Sequence, residues 1–414
     1  MDRSASIRID ELDERLTSPA FIADPYPTYA ELRATDPVHW SPRWGVWVIT
    51  GYDDTLRILK DPVSFSNAGR FSALLDQLPP DVQPDVDPVR RHYSGGLIQS
   101  DPPDHTRLRS LLRDVFSPRA IDRQREQVQA VVDNLLSQAL GDRSMDAVRD
   151  FAYPLPLFVV ANLLGAPPTD RDQMFRWNTD LAAVQATGGA AAANARRTAD
   201  AIGEMERYFS NVVEERRRAP GVDLISQLIA AKDEGNKLTN DEIVNTAVTI
   251  MSAGHETTKN LIANALVILF NHPTEMRALR EDPSLMDAAI EEFLRYESPI
   301  QRGWRRTTRK IEISGKLIES GALVYYMFGA ANRDPARFEN PDQFDIRRAN
   351  NRHLAFGYGI HFCIGAPLAR LEASVALHSL LKRTSVLDLV ETNVDWVPSV
   401  HVRCPLRLNV ILHD

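Results

Sequence analysis

Cysteine is scarce: the 414-residue chain has two, Cys363 and Cys404, far apart and in different surroundings. Two cysteines cannot build the dense disulfide framework of a small secreted domain, so a reducing, cytoplasmic home is expected. A surplus of positive charge is missing too. Lys and Arg number 48 against 56 Asp and Glu, a net charge of −8. That argues against a nucleic-acid binder, whose affinity depends on neutralising phosphates. No stretch offers the roughly eighteen uninterrupted apolar residues of a membrane span, and the polar start MDRSASIRIDELDERLTSPAF lacks a signal-peptide pattern. A soluble protein without a membrane anchor is the expectation.

What remains is an ordinary globular composition, 43% hydrophobic and 25% charged with six tryptophans, enough for a sizeable core. The length allows about two to four domains. No linker-like boundary or internal repeat separates an autonomous unit, so residues 1–414 read as one domain.

Local pattern places the elements. DPVHWSPRWGVWVIT (36–50) reads as a strand pair turning near Pro42 to Gly45, and DDTLRILKDP (53–62) as a short helix. Residues 63–98 are too rich in Pro, Asp and Gly for a regular element and read as a long loop, of the kind that is usually functional or mobile. From about 102 to 218 apolar residues recur at helical spacing. The Ala-rich segment 182–201 interrupts that pattern at Gly188 and Gly189 and suits either a pair of helix ends or a lid. Thr239 and Glu242 form a capping box opening a helix that runs to Asn271, before Pro273. KIEISGKLIESGALVYYMF (310–328) predicts a small sheet with a turn at Glu319 to Gly321, and DWVPSVHVRCPLRLNVIL further strands. The fold class is mainly α with small β-sheets, α+β.

Four motifs carry chemistry. FGYGIHFCIG (356–365) surrounds Cys363 with three glycines just ahead of a helix N-terminus, where backbone N–H groups and the macrodipole favour a thiolate. Taken alone it also suits a buried cysteine beside a tight turn. In EEFLRYESP, Glu292 and Arg295 share a helical face and can lock together. AGHETT (253–258) puts Gly254, Thr257 and Thr258, poor interior helix formers, in the middle of the long helix. In DPPDHTRLR, His105 and Arg109 share a face suited to an anionic group.

Phe356, Gly357, Gly359, His361, Cys363 and Gly365 resemble the heme-binding loop of the cytochrome P450 family, and the other motifs follow in that family's order over nearly the whole chain. The resemblance implies a single-domain P450 fold with a long central helix over a heme b, Cys363 being the thiolate ligand of its iron. It implies that His105, Arg109, Arg305 and His361 hold the heme propionates. The register of GWRRTTRK, in which Arg306 follows Arg305, rests on lining up Glu312 and Gly315. Phe356, Gly357, Gly365, Ala253 and Gly254 would line the cofactor. Arg348 would complete a structural triad with Glu292 and Arg295.

By the same resemblance Thr257 hydrogen-bonds bound dioxygen and Glu256 relays protons through a local opening of the helix. The implied activity is a soluble bacterial monooxygenase acting on a hydrophobic small organic substrate. Its pocket would be lined by 63–98, 182–195, Ile250 to Gly254, Ile300 to Gly303 and Ser399 to Val400. No flavin or iron–sulfur module follows Asp414, so electrons are expected from a separate ferredoxin and ferredoxin reductase. Charge suggests a docking face of Arg107, Arg109, Arg113, Arg119, Arg352 and Arg370. The competing readings are a hydrogen-peroxide-driven peroxygenase and a non-catalytic heme sensor or carrier.

Overall fold

β-Branched and aromatic residues at period two form strands where the pattern placed them. In the computed structural model, Val38–Ser41 and Val46–Ile49 pair antiparallel, Val38 opposite Ile49 and Ser41 opposite Val46. The model describes residues 11–413 apart from 77, 79, 184–189, 233–236 and 392. The hairpin continues into a five-stranded sheet whose further strands are Leu323–Met327, Arg302–Thr307 and Phe65–Ser66, in that order. A two-stranded hairpin, Ile311–Ile313 with Lys316–Ile318, carries the earlier half of the expected small sheet.

The chain divides into two compact units. The first comprises Met1–Asn67, Asn260–Cys363 and Leu389–Leu408, the second Ala68–Lys259, Ile364–Asp388 and Asn409–Asp414. The first unit contains the five-stranded sheet and a core of Val38, Ile49, Tyr52, Phe65, Val324 and Tyr326 with their neighbours. Helices dominate the second: Asp104–Arg113, Arg125–Asp142, Pro154–Leu163, Arg171–Ala183, Ala190–Arg218 and Ala366–Arg383. A π-helical turn, Ala147–Ala152, leads into Pro154–Leu163.

The capping box forms as expected. The Glu242 N–H donates to Thr239 Oγ1 at 3.2 Å, and the Thr239 N–H donates to the Glu242 carboxylate at 2.8 Å. The helix Asn240–Asn271 follows, 32 residues long, and the next helix opens at Pro273. Its length is about 48 Å at ~1.5 Å rise per residue.

Two expectations fail. The Pro-rich part of 63–98 is not irregular: Gln83–His92 is a helix. Pro84 lies in its first turn, where its missing N–H has no intrahelical partner anyway. Pro88 is carried in the interior because Val86, Val89 and His92 bury one stripe. The last segment is not all strand. Only Asn409–His413 forms one, in a three-stranded sheet with Ser144–Asp146 and Val386–Leu389, while Trp396 and Pro405 meet in an isolated bridge. Pro398 and Pro405 cannot donate to a ladder, which limits pairing there. The Gly188 and Gly189 interruption lies outside the described residues. Among the described residues no helix is long and apolar enough to cross a membrane.

Candidate functional site

The Cys363 loop is shaped by two glycines in the left-handed region. Gly357 and Gly359 both have φ of +71°, where a side chain is strained. At Gly359 a Cβ would also fall 2.5 Å from the Leu59 carbonyl oxygen, so only bare backbone fits. The Cys363 N–H donates to the Phe356 carbonyl at 2.9 Å and closes the loop. Phe356 packs edge-on to Phe362 with ring centroids 6.2 Å apart. Cys363 and His361 are both partly buried. Three residues after the sulfur the helix Ala366–Arg383 begins, with Gly365 as its N-cap and Pro367 in the first turn.

Sheet register decides which arginine of GWRRTTRK points inward. Gly303 lies opposite Tyr326 and Arg305 opposite Val324, so alternation puts Arg305 and Gly303 on one face and Arg306 on the other. Arg305 is 6% exposed, whereas Arg306 is exposed. The Arg305 Nη1 donates to the Tyr326 phenol at 2.7 Å and to the Trp304 carbonyl at 2.9 Å. Gly303 makes this possible, since a Cβ there would meet the Tyr326 ring at 2.4 Å. No carboxylate lies within ion-pair distance of Arg305 among the described residues. A buried guanidinium without a counter-anion is costly.

In the second unit, His105 sits 2% exposed on the helix Asp104–Arg113, with the partly exposed Arg109 one turn on. Arg107 on the same helix is paired with Glu242 of the capping box. Arg107 is therefore ion-paired within the second unit and partly exposed, while Arg113 and Arg119 are exposed.

The long helix is buried through Ile243 and Val248 and again from Asn260 to Leu269, yet Ala253 is exposed and Gly254, Glu256 and Thr257 are partly so. Helical structure is unbroken there, and the expected local opening is replaced by a side-chain bond: Thr257 Oγ1 donates to the Ala253 carbonyl at 2.9 Å. At Gly254 a Cβ would meet Val160 at 3.0 Å.

Sequence reasoning passed over the neighbours of this segment. His255 is 2% exposed, and its Nε2 lies 3.1 Å from the Tyr153 carbonyl. Burial, reinforced by the nearby Lys259 charge, lowers its pKa to about 3. The ring is thus neutral, and the proton belongs on Nε2 because a carbonyl can only accept. Lys259 Nζ lies 3.8 Å from the Glu256 carboxylate. Glu256 also acts on Tyr93, whose phenol is pushed up to about 12 by burial and then by that negative charge. Only the i, i+3 spacing of Glu256 and Lys259 was visible as a signal.

The Glu292, Arg295 and Arg348 triad assembles in the first unit. Arg295 donates to both Glu292 oxygens at 2.7 Å, and Arg348 Nε reaches them at 3.1 Å. Arg295 also donates to the carbonyls of Asn332, Pro341 and Gln343, tying the segment that leads to the Cys363 loop.

In the first unit a sulfur held in a glycine cradle and the buried cation Arg305 are groups of the kind that would hold the iron and a propionate of a porphyrin. In the second unit His105 and Arg109 are, taken by themselves, donors of the kind that hold carboxylates. Residues 190–395 match the family model described as cytochrome P450. The chain is 40% identical over 392 residues to the cytochrome P450 monooxygenase PikC of Streptomyces venezuelae, covering 92% of this chain and 90% of that one. The solved structure of cytochrome P450 CYP109Q5 from Chondromyces apiculatus is similar with a TM-score of 0.86 and 39% identity, covering 96% of this chain and 97% of that one. P450BioI, solved in complex with a hexadec-9Z-enoic acid ligated acyl carrier protein, is similar with a TM-score of 0.83 and 36% identity, covering 95% and 99%.

Proposed function

The chain belongs to the cytochrome P450 family and is a monooxygenase of that family, and from that premise we propose that it oxidises a hydrophobic small organic substrate with dioxygen and electrons from a separate ferredoxin system. The observation that carries the reading is the Cys363 loop: a sulfur fixed by the 2.9 Å Cys363 to Phe356 bond in backbone where glycine alone fits. We take residues 1–414 as one heme domain working in the reducing cytoplasm, with heme b as the cofactor.

Thiolate-ligated heme, when bound, supplies the reductive activation of dioxygen. The protein supplies the ligand, the anchors and the protons. Cys363 would provide the sulfur, and Arg305, His361, His105 and Arg109 would hold the propionates. Thr257 offers a hydroxyl on the open side of the long helix, and Glu256, partly exposed, can take a proton from solvent and return it. Ile300 to Gly303 are proposed as part of the pocket wall, with Ile300 as its apolar member, and the similar P450BioI is solved in complex with a fatty acyl chain. For the redox partner, the exposed Arg113 and Arg119 form a basic face suited to an acidic ferredoxin. Charge reversal at both should slow electron transfer and flatten its salt dependence, and an unchanged rate and salt slope would sink that docking face.

The first test is the absorbance difference spectrum of the dithionite-reduced protein with and without carbon monoxide. A strongly red-shifted Soret band establishes thiolate ligation; a band at the position of histidine-ligated heme, or no heme, overturns it. Thr257→Ala then separates the activities. A monooxygenase diverts reducing equivalents to peroxide, a peroxide-driven enzyme keeps its peroxide-supported rate, and a heme carrier shows no catalytic change.

A further inference from the structure

Glu256 is the only acid of the AGHETT segment, and the side chains around it form a continuous path to the helix Arg171–Ala183. Lys259, one turn on, places its ammonium 3.8 Å from the Glu256 carboxylate. The same ammonium lies over the Tyr153 ring, 5.7 Å from its centroid. The two side chains of this pair are 12% and 20% exposed. An ion pair of that length and exposure is weak, so it biases the carboxylate without locking it.

Tyr153 is held from two sides. On one, its carbonyl accepts from His255 Nε2 at 3.1 Å, and the two rings meet edge to face at 4.3 Å. On the other, its hydroxyl lies 3.2 Å from Thr179 Oγ1. Thr179 donates its own proton to the Phe175 carbonyl at 2.9 Å. The Tyr153 hydroxyl also lies 3.5 Å from that carbonyl, so the two hydroxyls and the carbonyl form one polar cluster. The Phe175 ring, 4.5 Å from Tyr153, closes the same side. The tyrosine stands where the π-helical turn Ala147–Ala152 passes into Pro154–Leu163, and such turns recur at functional positions.

We propose that Lys259 and Tyr153 are positioning residues for the Glu256 carboxylate, and that through the Tyr153 to Thr179 bond they tie its placement to the helix Arg171–Ala183. This rests on the reading of Glu256 as proton carrier. The logic is geometric: Lys259 turns its charge to Glu256 while its ammonium rests over the Tyr153 ring. That seat shifts if Tyr153 loses Thr179. A displacement of Arg171–Ala183 is thereby felt at the acid and in the turn of the long helix that carries it.

The test uses the holoenzyme with a substrate that shifts its spin state. Lys259→Met keeps the apolar stem and removes the charge. It should raise the fraction of reducing equivalents lost as peroxide by roughly two- to fivefold. Lys259→Arg should restore the wild-type fraction, and Glu256→Gln/Lys259→Met should be no worse than Glu256→Gln alone. Hydrogen exchange of Tyr153→Phe, read without turnover, should rise together in residues 175–183 and 252–259. If Glu256→Gln raises the peroxide fraction and Lys259→Met does not, the positioning role is overturned while the proton-carrier reading stands. If Glu256→Gln itself leaves the fraction at the wild-type value, that reading fails and takes the positioning role with it. Unchanged exchange in 252–259 of Tyr153→Phe overturns the tie to Arg171–Ala183.

Discussion

Arg295 and Glu292 face each other with two guanidinium nitrogens 2.7 Å from the two carboxylate oxygens, and both side chains are fully buried. Glu292 also accepts from Arg348, Asn351 and the Asp345 N–H. Removing its charge strands two arginines at once. Glu292→Gln should cost about 3–5 kcal/mol, the range for breaking a buried pair by removing one partner. Urea unfolding and the yield of heme-loaded protein check this. A loss under about 1 kcal/mol would mean that the carbonyls around Arg295 satisfy it without the acid.

Gly359→Ala tests the cradle of the sulfur. The new methyl would need a φ of +71° and would lie 2.5 Å from the Leu59 carbonyl oxygen, which is backbone and cannot step aside cheaply. A cost of about 1–3 kcal/mol is expected from the backbone conformation, with most of the protein recovered heme-free. Gly45→Ala is the control. It has a φ of +62° but nothing within 4 Å, so it should lose stability without losing heme.

Arg305 and Arg306 separate by face. Arg305→Gln should weaken heme retention, measured as the rate of heme transfer to apomyoglobin, and Tyr326→Phe should do so to a lesser degree by deleting the 2.7 Å bond. Arg306→Gln, on the exposed side, should match the wild type. The reverse ranking would place the propionate contact on the other arginine.

Two buried groups set opposite pH limits on stability. His255 has its folded pKa lowered to about 3 by burial, so the unfolded chain binds more protons below about 6.5 and stability falls as pH falls through that window. Glu372 on Ala366–Arg383 is fully buried, and neither carboxylate oxygen has a hydrogen-bond partner among the described residues. Burial raises its pKa well above the ordinary value. The folded state therefore holds a proton that the unfolded chain releases above about 4.3, and stability falls as pH rises. Against Glu372→Gln, the wild type should lose up to about 1.4 kcal/mol per pH unit on the alkaline side. Against His255→Gln it should lose a similar amount per unit between about pH 6 and 4. Urea titrations across pH check both slopes, and parallel curves would show that neither group changes protonation on unfolding.

The residues that were legible from sequence are those whose meaning is local. Thr239 and Glu242 cap a helix because they lie three apart, and Glu292 meets Arg295 for the same reason. The glycines around Cys363 announce a tight loop because positive φ is a property of the residue itself. The helix at Gln83–His92 was hidden because proline counts locally as a breaker, while the burial of Val86, Val89 and His92 that sustains it is tertiary.

Local pattern along the chain carries the chemical candidates: a cysteine in a glycine loop, an acid and an alcohol in mid-helix, and a histidine and an arginine on one helical face. The tertiary structure alone decided which arginine of an adjacent pair turns inward, because the face of Arg305 follows from strand register against Tyr326. It alone paired Arg107 with Glu242, 135 positions away. It also brought Tyr153 against His255, 102 positions away, and under the Lys259 ammonium. Helical spacing and turn chemistry act over a few residues and can be read along the chain. Contacts over longer separations depend on how elements pack, and no local pattern specifies them.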